Sequence, residues 1–124
     1  MYIRYYKTED FEAINGLNEK EGWNTLAENP EQTKAAWQNS NASFVAVEDG
    51  EIVGYLRGMT DTVVTFFICE MLVAEEYRKK GIGQKLLSYG RREFPETRTD
   101  VLATSTSRDF YEQNEFIPFY GFRK

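Results

Sequence analysis

The sequence predicts a mixed α/β fold, a central and largely antiparallel sheet of about six strands flanked by about four helices. Three observations carry this expectation. Ser43 to Glu48 and Glu51 to Met59 are strand-like runs joined by Asp49-Gly50, a pair that favours a two-residue hairpin turn and so makes the runs antiparallel neighbours. Thr62 to Val73 is rich in β-branched and aromatic side chains, Gly81 to Phe94 carries Ile82, Leu86 and Leu87 at helical spacing, and Val101 to Thr106 is strand-like again. Strand, helix, strand implies a parallel crossover. The chain has 124 residues, 41% hydrophobic and 15% aromatic, which suits one core in a single domain spanning 1–124.

The other elements follow in chain order. Tyr2 to Tyr6, with Ile3 among its tyrosines, reads as a first strand. Thr8 offers an N-cap, with Glu9 and Asp10 in the first turn of a helix running to about Asn18, and Phe11, Ile14 and Leu17 form its apolar stripe until Gly22 interrupts. Asn29-Pro30 predicts a second helix over Glu31 to Gln38, because proline suits the first helical position. Pro95 stops the helix that opens at Gly81. A short helix from Arg108 to Gln113, capped by Ser107, and a last strand from Phe116 to Phe122 complete the chain.

Twenty acidic residues against 15 basic give a net charge of −5, which argues against a nucleic-acid partner and favours a cationic small molecule. Histidine is absent, so proton transfer must use other groups, and no metal site is expected. The single cysteine, Cys69, allows no intramolecular disulfide. No run reaches the roughly 20 apolar residues of a membrane span, and the start lacks a signal-peptide pattern. A cytoplasmic protein without a membrane partner is the expectation.

The most informative stretch runs from Met71 to Leu87, where a strand ends and a helix opens. A helix N-terminus presents unpaired N–H groups and partial positive charge, so an anion there satisfies both. Gly81 and Gly83 leave the backbone approachable, and Arg78, Lys79, Lys80 and Lys85 place four cations within eight residues of an acidic chain. From the residues alone, the stretch is either a phosphate cradle or a solvated turn with a flexible joint.

Arg78-x-x-Gly81-x-Gly83 after a strand ending in Leu72-Val73 resembles the acetyl-CoA motif of the GNAT N-acetyltransferase superfamily. Phe110-Tyr111-Glu112-Gln113-Asn114-Glu115-Phe116 is similar to that family's second signature, and the order of elements matches over nearly the whole chain. The resemblance implies a GNAT-like sheet with a splayed parallel pair, Cys69 to Val73 diverging from Val101 to Thr106. It implies acetyl-CoA as acyl donor, lying in the splay like an added strand. The N–H groups of Lys79, Lys80, Gly81, Ile82, Gly83 and Gln84, in the motif opened by Arg78, would hold its pyrophosphate. The pantetheine amides would pair with Leu72 and Val73.

The resemblance further implies direct attack by a primary amine of a small molecule on the thioester. Tyr111 aligns with the tyrosine that protonates the departing thiolate, and a phenol of pKa about 10 carries its proton at neutral pH. An amine of pKa about 10.4 must first lose a proton, at a cost of about 4 to 5 kcal/mol. Glu70, a carboxylate within the apolar run Ile68-Cys69-Glu70-Met71-Leu72, is the candidate base; pairing with an arginine or binding the substrate ammonium are its alternatives. Cys69 as an acyl carrier is disfavoured, since a lone cysteine in an apolar strand is ordinarily inert. Trp23 and Trp37 either wall an acceptor pocket or pack the core.

Two departures from the family pattern stand out. Glu115 occupies a turn position where glycine is common, and because Asn114 tolerates the left-handed conformation the turn is expected to shift by one residue. The sixth strand leaves an uncovered edge, so the protein is a monomer or a homodimer. A non-catalytic acyl-CoA-binding or regulatory module of the same fold is the alternative to an enzyme.

Overall fold

In the computed structural model, which describes residues 1–124, five strands form one sheet in the order β1-β2-β3-β4-β5. They are β1 (Tyr2–Tyr5), β2 (Phe44–Glu48), β3 (Glu51–Thr60), β4 (Thr65–Val73) and β5 (Arg98–Val101). The helices are α1 (Phe11–Glu21), α2 (Asn24–Ala27), α3 (Pro30–Gln38), α4 (Ile82–Glu93) and α5 (Arg108–Gln113). Strands β1 to β4 pair antiparallel, and β4 and β5 pair parallel through the α4 crossover. The mixed, largely antiparallel sheet is as expected, with five strands in place of six. No helix is long and apolar enough to cross a membrane.

The β2–β3 turn shows why Asp49-Gly50 is a strong signal. Asp49 has φ 51° and Gly50 φ 81°, both left-handed as the twist-matched two-residue turn requires, with Glu48 opposite Glu51. Alternation then sorts the strands between two cores. Phe44, Ala46, Leu56, Phe66 and Ile68 meet Ile82, Leu86 and Leu87 of α4 and Tyr111 of α5 on one face. Val45, Val47 and Tyr55 meet Phe11 and Ile14 of α1 and Trp37 of α3 on the other. Gly90 permits the close approach of α4, since a Cβ there would lie 2.5 Å from the Phe66 ring.

A bulge interrupts this alternation. Arg57 lies opposite Glu70 but Gly58 lies opposite Ile68, so Cys69 is an extra residue in β4. An extra residue inverts which face the following side chains take. Phe66 and Ile68 face α4, as do Met71 and Val73, whereas Leu72 packs with the α1 and α3 core. The pairing of β4 with β5 ends at Ile68 and Val101, so Cys69 to Val73 is free of β5, as the resemblance implies.

Several local expectations are corrected. Phe116 to Phe122 forms no strand. The last backbone hydrogen bond in the tail is from Phe116 to Tyr111, and without a paired neighbour β-prone residues do not become a strand. β5 begins at Arg98 rather than Val101, because Thr65 to Ile68 pair with Arg98 to Val101; Thr104, Thr106 and Ser107 instead bond to one another in a turn. β4 begins at Thr65 rather than Thr62, since the Asp61 carboxylate accepts from the N–H groups of Val63, Val64 and Thr65. The first helix opens with a 3-10 turn over Thr8–Asp10, where Asp10 rather than Thr8 accepts from the Lys7 N–H, and it extends past Asn18 to Glu21. There are five α-helices in place of about four, the additional one being the single turn α2.

Candidate active site

The site is built where β4 leaves the sheet and α4 begins. Arg78 is extended (φ −73°, ψ 161°), Lys79 is left-handed at φ 64° and Gly81 at φ 81°. A Cβ on Gly81 would meet nothing within 4 Å, so glycine is demanded there by conformation and not by space. Gly83 differs: its Cβ would lie 3.0 Å from the Phe110 ring, so it lets α5 pack on the first turn of α4. Ile82, 4% exposed, anchors that turn in the core.

None of the N–H groups of Lys79, Lys80, Gly81, Ile82, Gly83 and Gln84 bonds to another group of the chain. The loop's own backbone bonds run from Tyr77 to Ala74, from Arg78 to Glu75 and from Lys85 to Gly81. Six free amides at a helix N-terminus, with the partial positive charge of that terminus, suit an anion such as a diphosphate. Lys80 lies over the Tyr77 ring, 5.5 Å from its centroid.

The edge of β4 beside this loop is also open, but at other residues than expected. Ala74 N–H donates to Val53 of β3, and the Leu72 carbonyl lies 3.0 Å from where a Cβ of Gly54 would stand, so both face β3. In an antiparallel ladder the intervening residues turn the opposite way. Met71 and Val73 therefore present their backbone groups to the splay, whereas Leu72 does not. Met71 was missed because the bulge that sets this phase has no local signature.

The predicted cationic side chains do not all converge on the amides. Arg78 Nε donates to the Val73 carbonyl at 2.8 Å, and its Nη2 pairs with Glu21 at the end of α1. Lys79, Lys80 and Lys85 are exposed.

Tyr111 lies on the α4 side of the sheet, 8% exposed, edge-on to Phe110 at 5.1 Å and to Phe116 at 5.2 Å. Desolvation pushes its phenol up to about 12, so it keeps its proton across the neutral range. Glu115, with φ 70°, takes the left-handed turn, and Asn114 does not. The expected one-residue shift is thus absent.

Glu70 projects toward the α3 side. Arg57 Nε donates to Glu70 Oε1 at 2.7 Å and Nη2 to Oε2 at 2.6 Å, while Arg57 Nη1 donates to Ser40 Oγ at 2.9 Å. This bond to Glu70 is the largest of the effects that raise the Arg57 guanidinium's pKa. The pair accounts for a carboxylate in an apolar strand without any catalytic demand, while each oxygen retains a lone pair for one more donor. Cys69 is half-buried, and burial pushes its thiol up, away from the reactive thiolate. Trp37, 1% exposed, is core, and Trp23 packs partly buried against the same cluster.

The fold has counterparts among known proteins. Residues 39–118 match the family model described as an acetyltransferase (GNAT) domain. A sequence search of curated proteins finds no match. Among solved structures, a GNAT-family acetyltransferase from Streptococcus pneumoniae TIGR4 superposes with a TM-score of 0.76 at 21% identity, covering 94% of this chain and 85% of its own. The ribosomal-protein-alanine N-acetyltransferase of Brucella melitensis biovar Abortus 2308 gives 0.76 at 16% identity, covering 100% and 98%. AAC(6')-Iy, in complex with the bisubstrate analogue CoA-S-monomethyl-acetylneamine, gives 0.66 at 17%, covering 99% and 98%. With its bulged fourth strand, its splayed parallel pair and a family match over most of its length, the chain belongs to the GNAT acetyltransferase family.

Proposed function

We propose that the protein is an acetyl-CoA-dependent N-acetyltransferase acting on a primary amine of a small molecule by direct attack. The observation that carries this reading is the row of six unengaged N–H groups from Lys79 to Gln84 beside the open edge of β4. Acetyl-CoA supplies the acyl group as an activated thioester.

The residues divide the work as follows. The amides of Lys79 to Gln84 bind the diphosphate, and Met71 and the N–H of Val73, whose carbonyl is held by Arg78, pair with the pantetheine amides as with an added strand. Glu70, on the opposite face from Tyr111, receives the acceptor's ammonium and passes its proton to water. The freed nitrogen lone pair forms the C–N bond as the C–S bond breaks, and the nitrogen, left positively charged, sheds its second proton through Glu70 to water. Tyr111 gives its proton to the thiolate and regains one from solvent. The net charge of −5 favours cationic acceptors at the open face.

Two measurements test the reading. Calorimetry with coenzyme A should give saturable heat, and thiol release from acetyl-CoA across a panel of polyamines, amino acids and aminoglycosides should identify an acceptor. Binding without turnover on any amine, small or protein-borne, would favour a non-catalytic acyl-CoA module, and absence of binding would defeat both.

A further inference from the structure

The guanidinium of Arg78 is engaged within the chain on two sides. Its Nε holds the Val73 carbonyl, a group aimed into the splay, and its Nη2 holds Glu21, the last residue of α1. One side chain thus joins the end of β4, the loop that opens α4, and a helix from the other face of the sheet.

That loop has little else to define it. Between the bonds from Arg78 to Glu75 and from Lys85 to Gly81, no backbone hydrogen bond constrains Lys79, Lys80 or the Gly81 N–H. Lys79 moreover sits at φ 64°, a conformation unfavourable for a residue with a Cβ, which persists only where its surroundings over-determine it. Its neighbour Arg78 is held through Nε by Val73 and through Nη2 by Glu21.

We propose that Arg78 is a positioning residue: through Val73 and Glu21 it sets the aim of the Lys79 to Gln84 amides, and its charge is not a ligand of the diphosphate. The proposal rests on the cradle reading above and deepens it. It makes Glu21, an α1 residue outside the motif, a determinant of cofactor affinity.

The two roles predict opposite signs. If Arg78 positions the loop, Glu21→Ala loosens it and weakens coenzyme A binding about two- to fivefold, the scale of a partly exposed ion pair. If Arg78 were instead a diphosphate ligand held back by Glu21, the same substitution would release a cation, remove a nearby negative charge and tighten binding. Glu21→Gln, which keeps an acceptor for Nη2, should recover part of the loss. Arg78→Lys, which keeps the charge but cannot bridge Val73 and Glu21 with one planar group, should also weaken binding.

Calorimetry with coenzyme A on the full chain reads these signs, and kinetics should show a raised KM for acetyl-CoA with kcat unchanged. Thermal melting confirms that each variant is folded; should Glu21→Ala not fold, Glu21→Gln reads the sign, weaker binding if Arg78 positions the loop and tighter binding if it is a ligand held back. Unchanged or tighter binding in the folded Glu21 variants overturns the proposal while leaving the cradle intact. A wild-type protein that gives no heat with coenzyme A overturns the cradle, and the proposal with it.

Discussion

Arg57 clasps Glu70 through two parallel hydrogen bonds, Nε to Oε1 at 2.7 Å and Nη2 to Oε2 at 2.6 Å, at the residue pair that immediately precedes the bulge on β3 and follows it on β4. The clasp holds a carboxylate beside the point where β4 parts from β5. It also separates two roles that are otherwise entangled. Arg57→Leu and Glu70→Gln both break the pair, and for side chains 15% and 21% exposed each should cost about 1 to 2 kcal/mol in denaturant melts. Only loss of Glu70 should also lower kcat, by at least about tenfold, with acetyl-CoA affinity unchanged. Equal kinetic losses in the two variants would remove Glu70 from proton transfer.

Desolvation alone raises the Tyr111 phenol, with no hydrogen bond contributing, so removing the hydroxyl leaves no partner unpaired. Tyr111→Phe should leave the unfolding free energy within about 0.5 kcal/mol of wild type and should slow turnover by a factor of about 100 without weakening coenzyme A binding. An unchanged kcat would assign Tyr111 to packing alone.

Alkaline titration offers an independent reading of the same residue. Burial raises Tyr111 to about 12, and Tyr5, shielded and bonded to Glu93, also stands at about 12. A raised folded-state pKa means that the protonated form is favoured by folding. The associated stability is complete below the unfolded value of about 10 and is lost as pH climbs through the folded values. Tyrosinate absorbance should therefore show a late-titrating class, with stability declining from about pH 10 upward, and Tyr111→Phe should shrink that class by one residue.

Glu115 carries the left-handed turn at φ 70° with a side chain that disfavours it. Glu115→Gly should stabilise the protein by about 0.5 to 1 kcal/mol, relief of strain outweighing the added freedom of the unfolded chain. A destabilised variant would show that the Glu115 side chain makes up for its strain elsewhere.

Gly90 faces the Phe66 ring at a distance that admits no Cβ, 2.5 Å. Gly90→Ala should destabilise by about 1 to 3 kcal/mol despite the better helix propensity of alanine, because overpacking outweighs a gain of about 1 kcal/mol. Equal or higher stability would mean that α4 shifts freely on the sheet.

Local chemistry was enough for much of the fold. Asp49-Gly50 announced its turn because two left-handed residues in succession admit few alternatives, and Ile82, Leu86 and Leu87 announced α4 because three apolar side chains at that spacing share one face. The free amides of Lys79 to Gln84 were legible for the same reason, since a helix start leaves its donors unpaired whatever surrounds it. Phe116 to Phe122 misled because strand propensity describes how residues fit a sheet, not whether an edge is there to receive them.

What residue order settled, then, is the sheet-and-helix plan and the row of unpaired amides that opens α4, both consequences of interactions spanning a few neighbours. Tertiary structure alone decided three matters: that Met71 rather than Leu72 faces the splay, that Glu70 belongs to Arg57, and that Arg78 reaches back to Glu21. Each depends on a register or a side-chain reach between segments distant in sequence. A single extra residue at Cys69 inverts which groups are free, and only the pairing of one strand with another reveals it.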